Sequence, residues 1–511
     1  MKKRLLKCLC TALLLPALLT GCWQEEPSAH DDILPQPGGP EQEAAETRMI
    51  LPEIFALPYA PDQPLDPITC PDGMQQVVAS LLYEGLFRLD LHLEPEAWLC
   101  SGYTCDDTMS RYEFTLRSGV TFSDGSPLTA ADVKAALDRA RNSERYRARL
   151  SDISSVSVSG ETVVVSLSKP NSALPALLDI PIVKAGSDHP DAPIGTGPYL
   201  FSAGDSGTYL VANQSWWQGT RQPTDRIALV EAADLDTKLY RFTSHDVQLV
   251  TADLTGMSPI SATGNIVYQD ADTTILQYVG CNVTREPLDN AAFRRALSQG
   301  INRSSVVSAF LSGHGTPAQF PVSPVSPLYP SELETRYSRD TFSSALAESG
   351  IVSDRPLTLL VNTENSFKVS VANYLAESFT ADGVPVTVRA LPWEEYTAAL
   401  LSGDFDLYYG EVKLTADWDL SDLLATGGAL NYGGWADPRT DQLLEAFAAA
   451  SDRTAAAKSL CAYLQAQSPI LPVCFKSISV LMQAGVVEGL TPTMAEPFYD
   501  LTGCTIHLRE S

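Results

Sequence analysis

Beyond its first two dozen residues the sequence has no apolar run long enough to cross a bilayer, which needs roughly 20 apolar residues. A chain without such a run is not an integral helical membrane protein. Basic residues are scarce, 35 Lys and Arg against 62 Asp and Glu, for a formal net charge of −27. No Lys/Arg cluster stands out on which a phosphate backbone would dock, so nucleic acid is not an expected partner. The histidines (His30, His92, His189, His245, His314, His507) are scattered, and no Cys-x-x-Cys or Cys/His grouping has zinc spacing. A structural metal or other cofactor is therefore not expected. Of ten cysteines, seven lie beyond residue 22: Cys70, Cys100, Cys105, Cys281, Cys461, Cys474 and Cys504. In an exported chain Cys100 with Cys105, and Cys461 with Cys474, are candidate disulfides, although an odd count leaves at least one thiol over.

What is present begins with a leader. Lys2, Lys3, Arg4 and Lys7 precede the apolar stretch Leu9 to Leu19, the pattern of a secretory signal peptide over residues 1–21. The stretch ends in Leu19-Thr20-Gly21-Cys22, which resembles the lipobox of bacterial lipoproteins and implies that Cys22 becomes a lipidated N-terminus. Removing the four basic residues of the leader takes the formal charge to −31. Residues 22–48 mix acids, proline and glycine with few large apolar side chains, too little to offset chain entropy, and read as a flexible tether. The remaining residues, about 460, are enough for at least two domains. A body on such a tether sits on the outer side of the cell membrane without entering it.

Coarse periodicity then organises the body. Helical spacing from Gln75 breaks at Gly85 and passes into a strand. YEFTLRS (112–118) alternates like a half-buried strand, and Thr129 with Asp132 reads as a capping box opening the helix VKAALDRA. Residues 155–168 form a hairpin around Gly160 and Glu161. Thr274 to Val283 is an apolar strand suited to a crossover, and PLDNAAFRRALSQGINRSSVVSAFL reads as one long helical segment starting near Asp289 or Asn290. The proline-rich stretch 315–330 must be extended and irregular. From 356 to 411 strands and helices alternate, the signature of an α/β lobe.

Taken in order, the segments LDP (65–67), LYEGLFRLD (82–90), YEFTLRSGVTFSDGSPLTAADV (112–133), PIGTGPYLF (193–201), PLDNAAFRRALSQGINR (287–303), GTPA (315–318) and SPILPVCFK (468–476) resemble the extracellular solute-binding proteins of the oligopeptide, dipeptide and nickel importer family. The resemblance implies an α/β, two-lobed periplasmic-binding-protein-like fold with two crossover hinge strands, the ligand being enclosed between the lobes by hinge closure. It divides the chain into lobe I (49–85, 186–273 and 486–511), an inserted subdomain (86–185) and lobe II (274–485). The implied activity is capture of a small solute, foremost a short peptide, and its delivery to an ABC transporter permease, with the protein working as a monomer. A nickel chelate, a sugar or another solute on the same fold is the alternative, as is a surface receptor or adhesin without transport.

In peptide-binding members of that family a carboxylate of lobe II, in an Ala-Asp-Tyr-like segment, meets the ligand's α-ammonium group. Ala416-Asp417-Trp418-Asp419 stands at the corresponding place, which makes Asp417 the candidate anchor. The competing reading is that Asp417 or Asp419 caps the short helix that follows. Trp418 and Trp393 are candidate pocket walls, and of the neighbours Tyr408 and Tyr409 only one can face the cleft, since strand side chains alternate; Tyr409 is the one carried as a contact. Resemblance adds Gly73, in the loop Cys70 to Met74, and Tyr146 in ERYRARL. It also adds Lys476, where relatives often have tyrosine, either a cation for a ligand carboxylate or a surface residue. An enzyme is the other class considered. Gly204-Asp205-Ser206-Gly207 looks like a serine-protease nucleophile motif, but no flanking segment resembles that family, so no catalytic residue is assigned.

Overall fold

The computed structural model describes residues 51–71, 73–187, 192–255, 266–353 and 355–509. The chain divides into two units, residues 1–48 and 49–511, and everything described lies in the second. The expected signal peptide, Cys22 and the tether lie outside the described residues. Among those described, no helix is long and apolar enough to cross a membrane.

Three sheets carry the architecture. The first has four strands in the order Phe55–Tyr59, Arg226–Glu231, Gly207–Ala212, Tyr199–Gly204. Its core joins Phe55 to Tyr83, Val183 to Leu249 and Val480 to Cys504, so three separated stretches of chain build one lobe. The second sheet, antiparallel, orders Cys100–Cys105, Arg111–Leu116, Thr162–Leu167 and Ile153–Ser159 and packs on the helix Ala130–Arg141 around Tyr112, Phe114, Val133 and Val163. Thr129 and Asp132 cap that helix reciprocally, as their spacing requires.

The third sheet has seven strands. Ile266–Cys281 and Ile470–Gln483 run antiparallel through its middle, flanked by Leu249–Ala252 on one side and by Leu407–Lys413, Leu357–Asn362 and Val386–Leu391 on the other. These two long strands are the crossovers between the lobes. The last three strands are mutually parallel and alternate with the helices Ser366–Ala381 and Trp393–Ser402, which cover them. Cores on the two faces of this sheet take alternate residues: Tyr408 belongs to one and Tyr409 to the other.

Two segments read from sequence prove to be packing partners. Gly197 N–H donates to Leu82 O at 3.0 Å and Tyr199 N–H to Leu81 O at 3.1 Å. A Cβ on Gly195 would sit 2.2 Å from Leu82 O, and one on Gly197 2.6 Å from it, so only glycine allows this approach. Next to Leu82, Glu84 is buried and accepts from the indoles of Trp98 (2.9 Å), Trp216 (3.2 Å) and Trp217 (2.8 Å) and from Thr196 Oγ1 (2.6 Å).

Two expectations are corrected. The segment 287–311 is two helices, Ala291–Gln299 and Arg303–Phe310, because Asn302 Oδ1 takes the N–H of Ser305 and starts a second cap after Gly300. No disulfide joins any of the seven cysteines among the described residues. Cys100 and Cys105 begin and end one extended strand, about 16 Å apart at 3.3 Å per residue, and Cys461 and Cys474 belong to different cores. Thiol titration of residues 49–511 in denaturant should therefore count seven thiols without reductant; five or fewer would show an intrachain bridge. The Gly204–Gly207 segment is the two-residue tip of a hairpin in which Gly204 pairs with Gly207.

Burial pushes Glu496 up to about 7, with Glu84 and Glu96 adding to the shift and Arg88 opposing it. A carboxyl that binds its proton more tightly folded than unfolded stabilises most in acid, and loses that contribution as pH rises from 4.5 through 7. Glu496→Gln should thus gain stability relative to the wild type across that window in urea titrations, and a pH-independent difference would remove the assignment.

Candidate functional site

In open α/β sheets ligands collect at the carboxyl ends of the strands. Here those ends are Asn362, Leu391 and Lys413, and the helices starting at Ser366 and Trp393 follow directly. Trp393 is 58% exposed on this rim, stacked on Tyr396 with centroids 5.8 Å apart, and its N–H donates to Glu364 Oε1 at 2.6 Å. Beside it runs a chain of charges. Lys368 Nζ lies 3.4 Å from Glu411 Oε1, Gln277 Nε2 donates to Glu411 Oε2 at 2.5 Å, and Lys476 Nζ lies 3.6 Å from the same oxygen. Lys476 also pairs with Asp253 at 2.5 Å, across from the end of the edge strand Leu249–Ala252. Lys476 is buried, which removes the surface reading. Burial lowers the Lys368 ammonium, with Glu411 opposing that shift; desolvation works against the Asp253 charge, but Lys476 and Thr255 hold its carboxyl below the usual range.

The loop after Lys413 carries the other group. Asp417 is 6% exposed; its Oδ1 accepts from Thr415 Oγ1 at 2.5 Å and its Oδ2 from Asn171 Nδ2 at 2.7 Å. Arg453 donates to the Asp417 carbonyl at 2.5 Å and to Ser172 Oγ at 3.2 Å. Arg149 pairs with Asp179. Burial lowers the Arg149 and Arg453 guanidinium groups while the field of Asp417 opposes it, so both face the anchor segment at longer range. No cation among the described residues forms an ion pair with the Asp417 carboxylate. Asp419, not Asp417, serves the following turn, accepting from Ser421 N at 2.9 Å and Ser421 Oγ at 2.6 Å.

Trp418 is wholly buried against Phe475, at φ 58°, a conformation that bulky residues rarely hold, and its Nε1 has no partner. Tyr409 is likewise buried with an unpartnered hydroxyl, as is Gln277 Oε1. Tyr146 sits between Arg145 and Arg149, each guanidinium 5.9 Å from its ring, and Arg145 donates to the Cys70 carbonyl. Gly73, at φ 87°, precedes the helix Met74–Ser80 with open space at its Cβ position. Two groupings emerge. Lys476 and Tyr409 belong with Glu411 and Lys368, whereas Asp417 meets Asn171 and acts on Arg149, whose guanidinium lies 5.9 Å from the Tyr146 ring.

A family model for the bacterial extracellular solute-binding proteins, family 5, matches residues 94–428. The chain belongs to that family. This makes it a solute-binding protein of an ABC transporter and not an enzyme. The glutathione-binding protein GsiB of Salmonella typhimurium is 29% identical over 386 residues, 71% of this chain and 75% of the relative. A nickel ABC transporter structure from Bacillus halodurans superposes with a TM-score of 0.73 at 21% identity, covering 87% of this chain and 97% of the other. The oligopeptide-binding protein AppA of Bacillus subtilis, in complex with a nonapeptide, gives 0.61 at 20%, covering 89% and 100%. These structures establish the two-lobed fold for this solute-binding protein.

Sequence reasoning missed Lys368, Glu411, Gln277, Asp253, Asn171 and Arg453. The signal for Lys368 and Glu411 was available, since both stand at the carboxyl edge of the parallel strands. Nothing local marks Asn171, whose partner is 246 residues away.

Proposed function

We propose that this protein captures a short peptide bearing a free amino terminus and hands it to a membrane permease. In this reading Cys22 carries the lipid that holds the body at the outer face of the membrane, and the chain divides into lobe I (49–85, 186–273, 486–511), inserted subdomain (86–185) and lobe II (274–485). Asp417 anchors the ammonium group, with Trp418, Trp393, Tyr146 and the Gly73 loop as walls. Lys476, Tyr409 and Lys368 form the polar end where a ligand carboxylate would lie. Glutathione, the ligand in the name of the Salmonella typhimurium relative, has both groups.

The observation that carries this is the state of Asp417: a buried carboxylate, hydrogen bonded by three neutral groups, Thr415 Oγ1, Asn171 Nδ2 and the Asp419 N–H, with no ion pair among the described residues. A buried carboxylate that has guanidinium groups nearby but none in contact with its oxygens is incompletely compensated, and a ligand ammonium would complete it with a charge-assisted hydrogen bond. The test is a thermal-shift screen of protein refolded to strip cargo, against glutathione, di- to pentapeptides, nickel-histidine chelates and oligosaccharides. A ligand that binds only the folded state raises stability by RT ln(1 + [L]/Kd). Shifts confined to chelates or sugars would end the peptide reading while leaving the family untouched.

A further inference from the structure

We infer that Asn171 is a positioning residue that couples capture of the ligand ammonium at Asp417 to closure of the cleft. This rests on the assignment of Asp417 as the anchor. Asn171 follows the strand Thr162–Leu167 and belongs to the antiparallel-sheet subdomain, whereas Asp417 belongs to the second lobe. Every other polar group of Asn171 is committed within its own subdomain. Its N–H donates to Met109 O at 2.9 Å, its carbonyl accepts from Tyr112 Oη at 2.7 Å, and its Oδ1 accepts from Ala173 N at 2.9 Å. With Oδ1 taken by a backbone N–H, the amide has one orientation, and Nδ2 is a donor held ready for the second lobe.

The neighbouring contacts run the same way. Ser172 N–H donates to Ala448 O at 2.7 Å, and Arg453 ties Ser172 Oγ to the carbonyl of Asp417. Leu93 of the first half of the chain is 1% exposed inside the second lobe's core, and Ser326 reaches Glu94 at 3.4 Å. The subdomain and the second lobe therefore meet at Asp417 itself. In the open protein the carboxylate keeps Thr415, the Asp419 N–H and water. On closure Asn171 takes one side of Oδ2, turning the remaining lone pairs toward the ligand, so the anchor is complete only when the lobes are together. A ligand ammonium and closure then stabilise each other reciprocally.

The experiment compares retention of a tripeptide library with free amino termini and of the same library N-acetylated, on wild-type protein, Asn171→Ala and Asn171→Asp. The wild type should prefer free-amine members. Asn171→Ala should lose about tenfold in affinity for them, the scale of one hydrogen bond to a charged group, while acetylated members are unaffected. Asn171→Asp keeps the oxygen that Ala173 uses, so the turn still forms, but it sets a like charge against Asp417 and should lose more. Equal losses for both libraries, or none, overturn the positioning role. A wild type that retains both libraries equally, or neither, overturns the Asp417 anchor instead.

Discussion

Asp417→Ala is expected to weaken binding of a free-amine peptide by about a hundredfold, roughly 3 kcal/mol, the usual cost of removing one partner of a buried, hydrogen-bonded charge pair. The physical reason is that the ammonium gives up its water on closure and finds only neutral Thr415 and Asn171 in place of the carboxylate. Asp417→Asn separates charge from shape, since it keeps the volume and should still lose most of the affinity. Calorimetric titration with the peptide and its N-acetyl form decides the matter. The acetylated peptide should bind the variant and the wild type alike. A loss of the same size for both peptides would mean that the Asp417 side chain only supports the loop through Thr415 and the Asp419 N–H.

The largest expected effect on stability belongs to Glu84→Ala. One buried carboxylate accepts from three indoles and a threonine hydroxyl. Removing it strands two buried donors, on Trp216 and Thr196, and the two half-buried indoles of Trp98 and Trp217; with roughly 1 to 3 kcal/mol for each buried donor left unsatisfied, a loss of at least about 2 kcal/mol is expected. Glu84→Gln keeps one accepting oxygen and faces the other donors with an NH₂ group, and should fall between. Burial raises the Glu84 pKa, with the four hydrogen bonds opposing it, so on acidification Glu84 takes up its proton at a higher pH than an exposed carboxyl would. Urea unfolding followed by tryptophan fluorescence reads the change directly, because Trp98, Trp216 and Trp217 are themselves the ligands of the carboxylate. A loss under 1 kcal/mol would show that these donors find water or other partners.

Much of the fold was legible because its determinants are local. The capping pair Thr129 and Asp132, the hairpin at Gly160, and the alternation of strand and helix between 357 and 413 depend on neighbours within a few residues. The alternation also foretold that Tyr408 and Tyr409 part to opposite faces. Local reading failed where periodicity masked a cap: Ala291 to Phe310 keeps its apolar spacing through Gly300, and only the Asn302 side chain, bonding forward to Ser305, divides the helix. The cysteine pairs failed for a geometric reason, since closeness in sequence inside a strand means separation in space.

By itself the sequence determined the family, the α/β character and the Ala416–Asp419 segment as the place to look for an anchor, because these rest on motifs whose spacing along the chain carries the information. The tertiary structure decided which groups distant in the chain meet one another. Lys476 meets Asp253 and Glu411, and Asp417 meets Asn171, through contacts that join residues from distant parts of the chain. A hydrogen bond depends on distance in space, and only the two crossover strands, by setting one lobe against the other, fix that distance.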